Sequence, residues 1–342
     1  MSKTSITLPA EWHRQRAVQL TWPHANSDWE YILDEVKICF SEIAKAVTKR
    51  QKLIVVCHNK NEVKSEIPQE LWPNSSFFEI RSNDTWARDH GGITVFDGDK
   101  PIVYDFGFNG WGMKFAACFD NQITRNLFKQ NAFDGYNYQN MNFFTLEGGS
   151  IESDGEGTIL TTEECLLSAN RNDSLSKSEI EGCLKQFFGA ERILWLKNGY
   201  LAGDDTDSHI DTLARFCSAN TIAYVKCTDE TDEHFDALNK MEKELEAFTQ
   251  SNGEPYRLIA LPMATPAFDP EDGHRLPATY ANFLIINGAV LFPIYNCATD
   301  SAAIEAIKIA FPDREIIPID CSVLIRQHGS LHCVTMQYPE FK

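Results

Sequence analysis

Leu53-Ile54-Val55-Val56-Cys57 is a short apolar run rich in β-branched residues, and it follows an amphipathic helical pattern near residues 28–50. A run this short and this β-branched predicts a strand, because such side chains suit a pleated surface better than a helix turn. The same pairing recurs along the chain. Helical patterns near 118–131, 176–188, 232–250 and 299–311 lead into Phe143-Phe144-Thr145-Leu146, Ile193-Leu194-Trp195-Leu196, Arg257-Leu258-Ile259-Ala260-Leu261 and Ile316-Ile317-Pro318-Ile319. Between these pairs lie strand-and-turn stretches: 93–108 broken at Asp97-Gly98-Asp99, 151–162 broken at Asp154-Gly155, 213–227, and 283–295 broken at Asn287-Gly288. The chain reads as about five strand–strand–helix–strand units of roughly 50 to 90 residues. No Gly/Ser-rich linker separates them, so residues 1–342 are expected to form one closed α/β domain whose repeats pack round an axis. A doubly wound parallel sheet fits less well, because the hairpin breaks imply antiparallel pairs and no GxGxxG or GxxxxGK[ST] loop is present. Nucleotide cofactors are not expected.

Composition sets further bounds. Of 342 residues, 43% are hydrophobic and 23% charged, as in ordinary globular proteins. The start, Met1 to Pro9, has no apolar leader core, and no run of about 18 apolar residues suggests a membrane span. A cytoplasmic location is the expectation. Ten cysteines are scattered without CxxC pairs, which argues for reduced thiols and against a disulfide framework or a structural zinc site. With 49 acidic and 31 basic residues, the net charge of −18 repels nucleic acid and anionic lipid and favours a small cationic partner.

Four stretches carry candidate chemistry. Gly329-Ser330-Leu331-His332-Cys333 places a cysteine after a Gly-Ser turn close to the C-terminal residue; alone, a cysteine is most simply a small buried hydrophobe. Asn83 to Gly92 holds Asp84, Trp86, Arg88 and Asp89 in a loop at a strand end. Glu147-Gly148-Gly149 puts a carboxylate at the end of an apolar strand, before glycines that let the backbone approach another group closely. Gly203 to Phe216 contains Asp207, His209 and Asp211, which share one face if the segment is extended. An EF-hand starting at Asp205 fails, because Ile210 and Phe216 stand where Gly and Glu are required. Zinc held by His209, Asp211 and a cysteine has no supporting spacing. Cysteine with histidine is the usual pairing for covalent catalysis, and an excess of carboxylates suits an electrophile that is itself a cation. A guanidinium fits, since its planar fork of N–H donors pairs with carboxylates.

These motifs resemble those of the agmatine deiminase family, also called the bacterial-type peptidylarginine deiminase-related family, within the guanidine-modifying pentein superfamily. The resemblance spans nearly the whole chain: Pro9-Ala10-Glu11-Trp12, Thr21-Trp22-Pro23, Asp84-x-Trp86-x-Arg88-Asp89, Phe108-Asn109-Gly110-Trp111-Gly112, Glu147-Gly148-Gly149, Asn170-Arg171-Asn172, Asp205 to Asp211, Ala278 to Phe283 and His332-Cys333-x-Thr335-x-Gln337-x-Pro339. It implies a five-bladed α/β propeller, in agreement with the five units counted above. It implies Cys333 as the nucleophile on the guanidinium carbon and His209 as the acid for departing ammonia and then the base for water. Asp89 and Asp211 would grip the guanidinium nitrogens, and Glu147 would orient or charge-stabilise His209. Neither metal nor organic cofactor is implied. Agmatine would give N-carbamoylputrescine and ammonia, a step in putrescine and polyamine formation. For the far end of the substrate, Trp86, Asp84 and Trp22 with Asp28 are the candidates.

The chain departs from the family pattern where Gln327-His328-Gly329-Ser330-Leu331 replaces a run of glycines, where Gly92 replaces a proline, and where Ser208 replaces a glycine before the histidine. These changes bear on specificity more than on deimination. The alternatives are a deiminase of free or peptide C-terminal arginine, with Arg88, Arg171 or Arg215 binding carboxylate, an amine-accepting transferase, and a propeller that binds without catalysis. A homodimer is allowed by the sequence but not encoded in any motif.

Overall fold

Each amphipathic stretch forms a helix whose apolar residues recur every three or four positions. In the computed structural model, which describes residues 5–341, Leu33–Thr48 buries Val36, Phe40, Ile43, Ala44 and Val47. Met1 to Thr4, part of the start expected to lack a leader, lie outside the described residues. Helix Lys177–Phe188 begins with a reciprocal capping box between Ser176 and Glu179 and ends at Gly189, whose φ of 65° stops it in the left-handed conformation. Ile123–Lys129, Phe235–Ala247 and Asp300–Ala310 complete the helices expected from periodicity. Among the described residues, no helix is long and apolar enough to cross a membrane.

Among the described residues the strands follow the expected order and form five sheets of three or four strands, plus a two-stranded ribbon, Ala267–Phe268 with Arg275–Leu276. Ala214–Ser218 shows the repeated plan: it pairs antiparallel with Thr221–Lys226, the chain crosses through helix Phe235–Ala247, and Arg257–Pro262 returns parallel to Thr221–Lys226. Ile93–Asp97, Lys100–Gly107 and Asn137–Thr145 repeat it. So do Ile151–Ser153, Thr158–Thr162 and Arg192–Leu196, and Leu284–Ile286, Ala289–Ile294 and Glu315–Asp320. The remaining sheet joins distant parts of the sequence. Thr335–Pro339 pairs antiparallel with Gln15–Thr21, which runs parallel to Lys52–Cys57, itself parallel to Ser75–Glu79. Leu53-Ile54-Val55-Val56-Cys57 is therefore a central strand, buried throughout, as a run without polar alternation requires. The result is a mixed α/β fold of small separate sheets, not the single doubly wound sheet that was the competing expectation.

Candidate active site

The five sheets deliver their polar side chains from one equivalent place, the few residues just before the first strand of each unit. Asp89 precedes Ile93–Asp97, Glu147 precedes Ile151–Ser153, His209 and Asp211 precede Ala214–Ser218, Asn282 precedes Leu284–Ile286, and Cys333 precedes Thr335–Pro339. Gly149 shows how tightly they converge. A Cβ there would stand 2.6 Å from His209 Nδ1, 2.9 Å from Asp89 Oδ1 and 3.1 Å from Asp211 Oδ2, so only glycine leaves the three groups room.

Asp89 lies on the four-residue helix Ala87–His90, where the sequence suggested a loop. Its Oδ1 accepts the Gly149 N–H at 3.0 Å and stands 3.6 Å from His209 Nδ1, while Oδ2 accepts the Trp111 indole N–H at 2.9 Å. Burial pushes its carboxyl up, to about 6, against the opposing pull of His209. His209 is fully buried, and among the described residues neither ring nitrogen finds a hydrogen-bond partner. Burial works against its charged form, yet Asp89 first, with Cys165 and Glu147, holds the imidazole above its ordinary range. The expected extended segment is absent here. Asp207 and Ser208 take left-handed φ values of 64° and 60°, and Ile210–Thr212 is a 3-10 turn, so His209 and Asp211 converge through a tight bend and not by strand alternation. Ser208 thus occupies a conformation that favours the glycine usual in the family pattern.

Asp211 accepts His332 Nδ1 at 2.7 Å through Oδ2 and leaves Oδ1 without a hydrogen-bond partner among the described residues. Burial opposes its charge, but the His332 contact, then His209 and Arg215, hold it below the usual carboxylate range. The Cys333 thiol donates to Asn282 Oδ1 at 3.4 Å. Burial, then the charges of Asp211 and Asp89, push that thiol well above its ordinary value, which favours its protonated form at neutral pH. Glu147 does not hydrogen-bond His209; both its oxygens accept Arg171 Nε at 3.0 Å, and Arg171 also donates to Asp207 at 2.6 Å. Among the described residues, Glu147, Cys165 and His209 are a buried set whose ligand atoms lie within 4.8 Å of one another, but the Arg171 guanidinium on Glu147 opposes a cation there. Asp211, which the zinc reading required, is not one of them.

A cleft of about 140 Å³ opens onto Cys333 and Asp89. Asp28, Asp84, Asp204 and Asp205 line it with Trp86, Trp111 and Phe115, and among the described residues no Arg or Lys does. Asp84 accepts the Trp29 indole N–H at 2.8 Å, and burial pushes its carboxyl up to about 6. Trp86 packs against Gly329, where a Cβ would fall 2.1 Å from its ring. The departures from the family pattern build the rim. Gln327 donates to the Asp28 carbonyl at 2.9 Å, and His328, at φ 66°, places Nδ1 2.8 Å from the Gly203 carbonyl.

The structure brings Cys333, His209, Asp89 and Asp211 together, sets Glu147 beside them, and puts Asp84 and Trp86 in the cleft wall. It does not bring Trp22 there. That indole is 2% exposed, meets Phe40 edge-on and donates to Glu66 at 2.8 Å, because an apolar ring between helix and sheet is better buried than presented to an acidic mouth. Sequence reasoning assigned no role to Trp111 or Asn282, although each lay inside a quoted motif, and it offered Arg171 only as a possible carboxylate binder, not as the partner of Glu147. Their partners are distant in sequence and no local pattern marks them.

Residues 7–339 match the model of the Porphyromonas-type peptidyl-arginine deiminase family. A Shewanella baltica protein named "Putative agmatine deiminase" is 31% identical over 100% of this chain and 96% of its own. The crystal structure named for a "Putative Arginine Deiminase from Porphyromonas gingivalis" is 53% identical, with a TM-score of 0.94 over 98% of both chains. That of the C. jejuni agmatine deiminase is 38% identical, with a TM-score of 0.89 over 98% of this chain and 97% of that one. The structural neighbours are of the pentein superfamily.

Proposed function

Because the chain belongs to the Porphyromonas-type peptidyl-arginine deiminase family, we propose that it hydrolyses agmatine to N-carbamoylputrescine and ammonia through a thiouronium on Cys333. One observation carries the choice of agmatine: the cleft wall is acidic and aromatic and has no Arg or Lys. A dication gains at both ends of such a cleft, whereas the carboxylate of free or C-terminal arginine would meet Asp28, Asp84, Asp204 and Asp205 with no Arg or Lys among the lining residues. The three arginines that the alternative needs are engaged elsewhere. Arg88 faces Glu11 at 3.6 Å, Arg171 holds Glu147 and Asp207, and Arg215 holds Glu11 and Glu152.

The guanidinium lies between Asp89 and Asp211, whose charges fix its plane and compensate its burial. Its positive charge offsets the repulsion that kept Cys333 protonated, so on binding the thiol releases its proton to solvent and thiolate forms. Sulfur attacks the guanidinium carbon, one C–N π pair moves to nitrogen, and His209, already an imidazolium, protonates the departing amino group. Ammonia leaves. The now neutral His209 takes a proton from water and the hydroxide adds to carbon; the C–S bond then breaks, and the proton on the new hydroxyl passes to the departing sulfur, returning the Cys333 thiol and a neutral urea. The five sheets are best read as blades of a five-bladed propeller forming a single catalytic domain; the equivalent placement of Asp89, Glu147, His209, Asn282 and Cys333 supports that reading.

Ammonia release from agmatine, arginine and an arginine-terminated peptide, with Cys333→Ala as control, tests the proposal. Turnover of agmatine well above the other two, abolished by the substitution, is expected. Equal or greater turnover of arginine would overturn the substrate assignment.

A further inference from the structure

His332 is fully buried beside the nucleophile, and no step above uses it. Its two ring nitrogens face two carboxylates: Nδ1 lies 2.7 Å from Asp211 Oδ2 and Nε2 lies 2.6 Å from Glu11 Oε2. Ionised carboxylates only accept hydrogen bonds, so both nitrogens must donate, and only the doubly protonated ring does so. Arg215 Nη2 stands 3.0 Å from Nε2 and 3.0 Å from the same Glu11 oxygen, which leaves two cations sharing one acceptor. A bare Nε2 could accept from Arg215, but its lone pair would then point at Glu11 from 2.6 Å.

The surrounding charges agree. Glu11, Glu152 and Asp211 are three buried carboxylates, and Arg215 and Arg88 are the two buried guanidiniums among them; a third positive charge on His332 balances the cluster. The ring is also fixed in place. The His332 and Cys333 backbone N–H groups donate to Asn282 Oδ1, at 2.8 and 3.3 Å. Glu11 Oε1 in turn accepts the Ile285 N–H at 2.7 Å.

We infer that His332, carrying a proton on each nitrogen between Asp211 and Glu11, is a positioning residue that keeps Asp211 ionised and leaves its Oδ1 free for the guanidinium. This rests on the proposed binding of a guanidinium by Asp211. The other charged or titratable groups acting on Asp211 are His209, Asp89, Arg215, Arg88 and the Cys333 thiol. None of these is hydrogen-bonded to its carboxylate; among the described residues that contact is made by His332.

Two substitutions separate hydrogen bond from charge. His332→Asn puts a neutral N–H where Nδ1 stood and keeps the contact to Asp211; His332→Gln places its amide near Nε2 and loses that contact. The expected acid limb of kcat/KM for agmatine falls with one proton in the unsubstituted enzyme, through Asp89, and with two in both variants, as Asp211 rises into the same range. Agmatine affinity of the Cys333→Ala enzyme at pH 8, by calorimetry, is expected to drop roughly ten- to a hundredfold for Gln and less for Asn, as loss of one charge-assisted hydrogen bond predicts. A one-proton limb and unchanged affinity in both variants would overturn the inference. Nitrogen-15 spectra of the His332 ring in the unsubstituted protein give an independent reading, also valid if a variant fails to fold. Two protonated nitrogens at pH 7 support the inference and one bare nitrogen refutes it. Failure of the Cys333→Ala enzyme to bind agmatine at all would sink the guanidine reading and, with it, the role given to Asp211, while the spectra still report the ring's protonation.

Discussion

Asp89 and Trp111, 22 residues apart, are joined by an indole N–H donated to the carboxylate at 2.9 Å inside the protein. Asp89 can hold its charge there because Trp111 and the Gly149 N–H take up its lone pairs. Trp111→Phe removes one donor and keeps most of the ring. A hydrogen bond to the charged form lowers a carboxyl pKa, so its loss raises that of Asp89 from about 6. The acid limb of kcat/KM is expected to move to higher pH, and the plateau to fall by roughly ten- to a hundredfold, the equivalent of about 1.5–3 kcal/mol. An unmoved limb would mean that another group sets it.

Cys333 is held as a thiol by burial and by Asp211 and Asp89. Neutral iodoacetamide is therefore expected to alkylate the empty site slowly at pH 7 and faster above pH 9. Asp211→Asn removes one of the repelling charges and lowers the thiol pKa, so this variant should alkylate faster while losing guanidine turnover. Faster alkylation of the unsubstituted enzyme than of the variant would contradict the electrostatic account.

Asp205 lines the mouth of the cleft and is partly exposed. Asp205→Asn should raise KM for agmatine by about two- to fivefold, the range of a solvent-screened pair. It should leave KM for butylguanidine, which has no second charge, unchanged. Equal changes for both substrates would place the second ammonium elsewhere.

Trp22→Phe tests the residue that the fold keeps out of the cleft. Losing its hydrogen bond to Glu66 should cost about 1 kcal/mol of stability. kcat and KM for agmatine should stay the same. A KM change without a stability change would return Trp22 to the substrate.

Much of this was legible in the sequence because it is written locally. The helix Leu33–Thr48 and the strand Lys52–Cys57 follow from a spacing of three or four and from an unbroken β-branched run. The candidates Cys333, His209, Asp89, Asp211 and Glu147 stand in short motifs at strand ends, and the fold collects them. What could not be read depends on pairing across distance. Thr335–Pro339 completes the sheet of Gln15–Thr21, a partnership across most of the chain. Strand alternation misplaced the reason for the His209 and Asp211 juxtaposition, because left-handed Asp207 and Ser208 leave no periodic trace. Glu147 was expected to orient or charge-stabilise His209; its charge does favour the imidazolium, but both its oxygens are held by Arg171, and an arginine in a motif does not announce which acid it will hold. Trp22, a tryptophan in a resembling motif, had two places open to it, and packing against Phe40 decided for the core.

The central claim is that the Cys333 sulfur displaces ammonia from the guanidinium carbon. Acid quenching during agmatine turnover, followed by digestion and mass spectrometry of the peptide containing Cys333, tests it directly. An adduct on Cys333 equal in mass to agmatine less ammonia, absent when agmatine is withheld, is the expected result. Steady turnover with no such adduct, or the same adduct on another cysteine such as Cys165, would contradict the account.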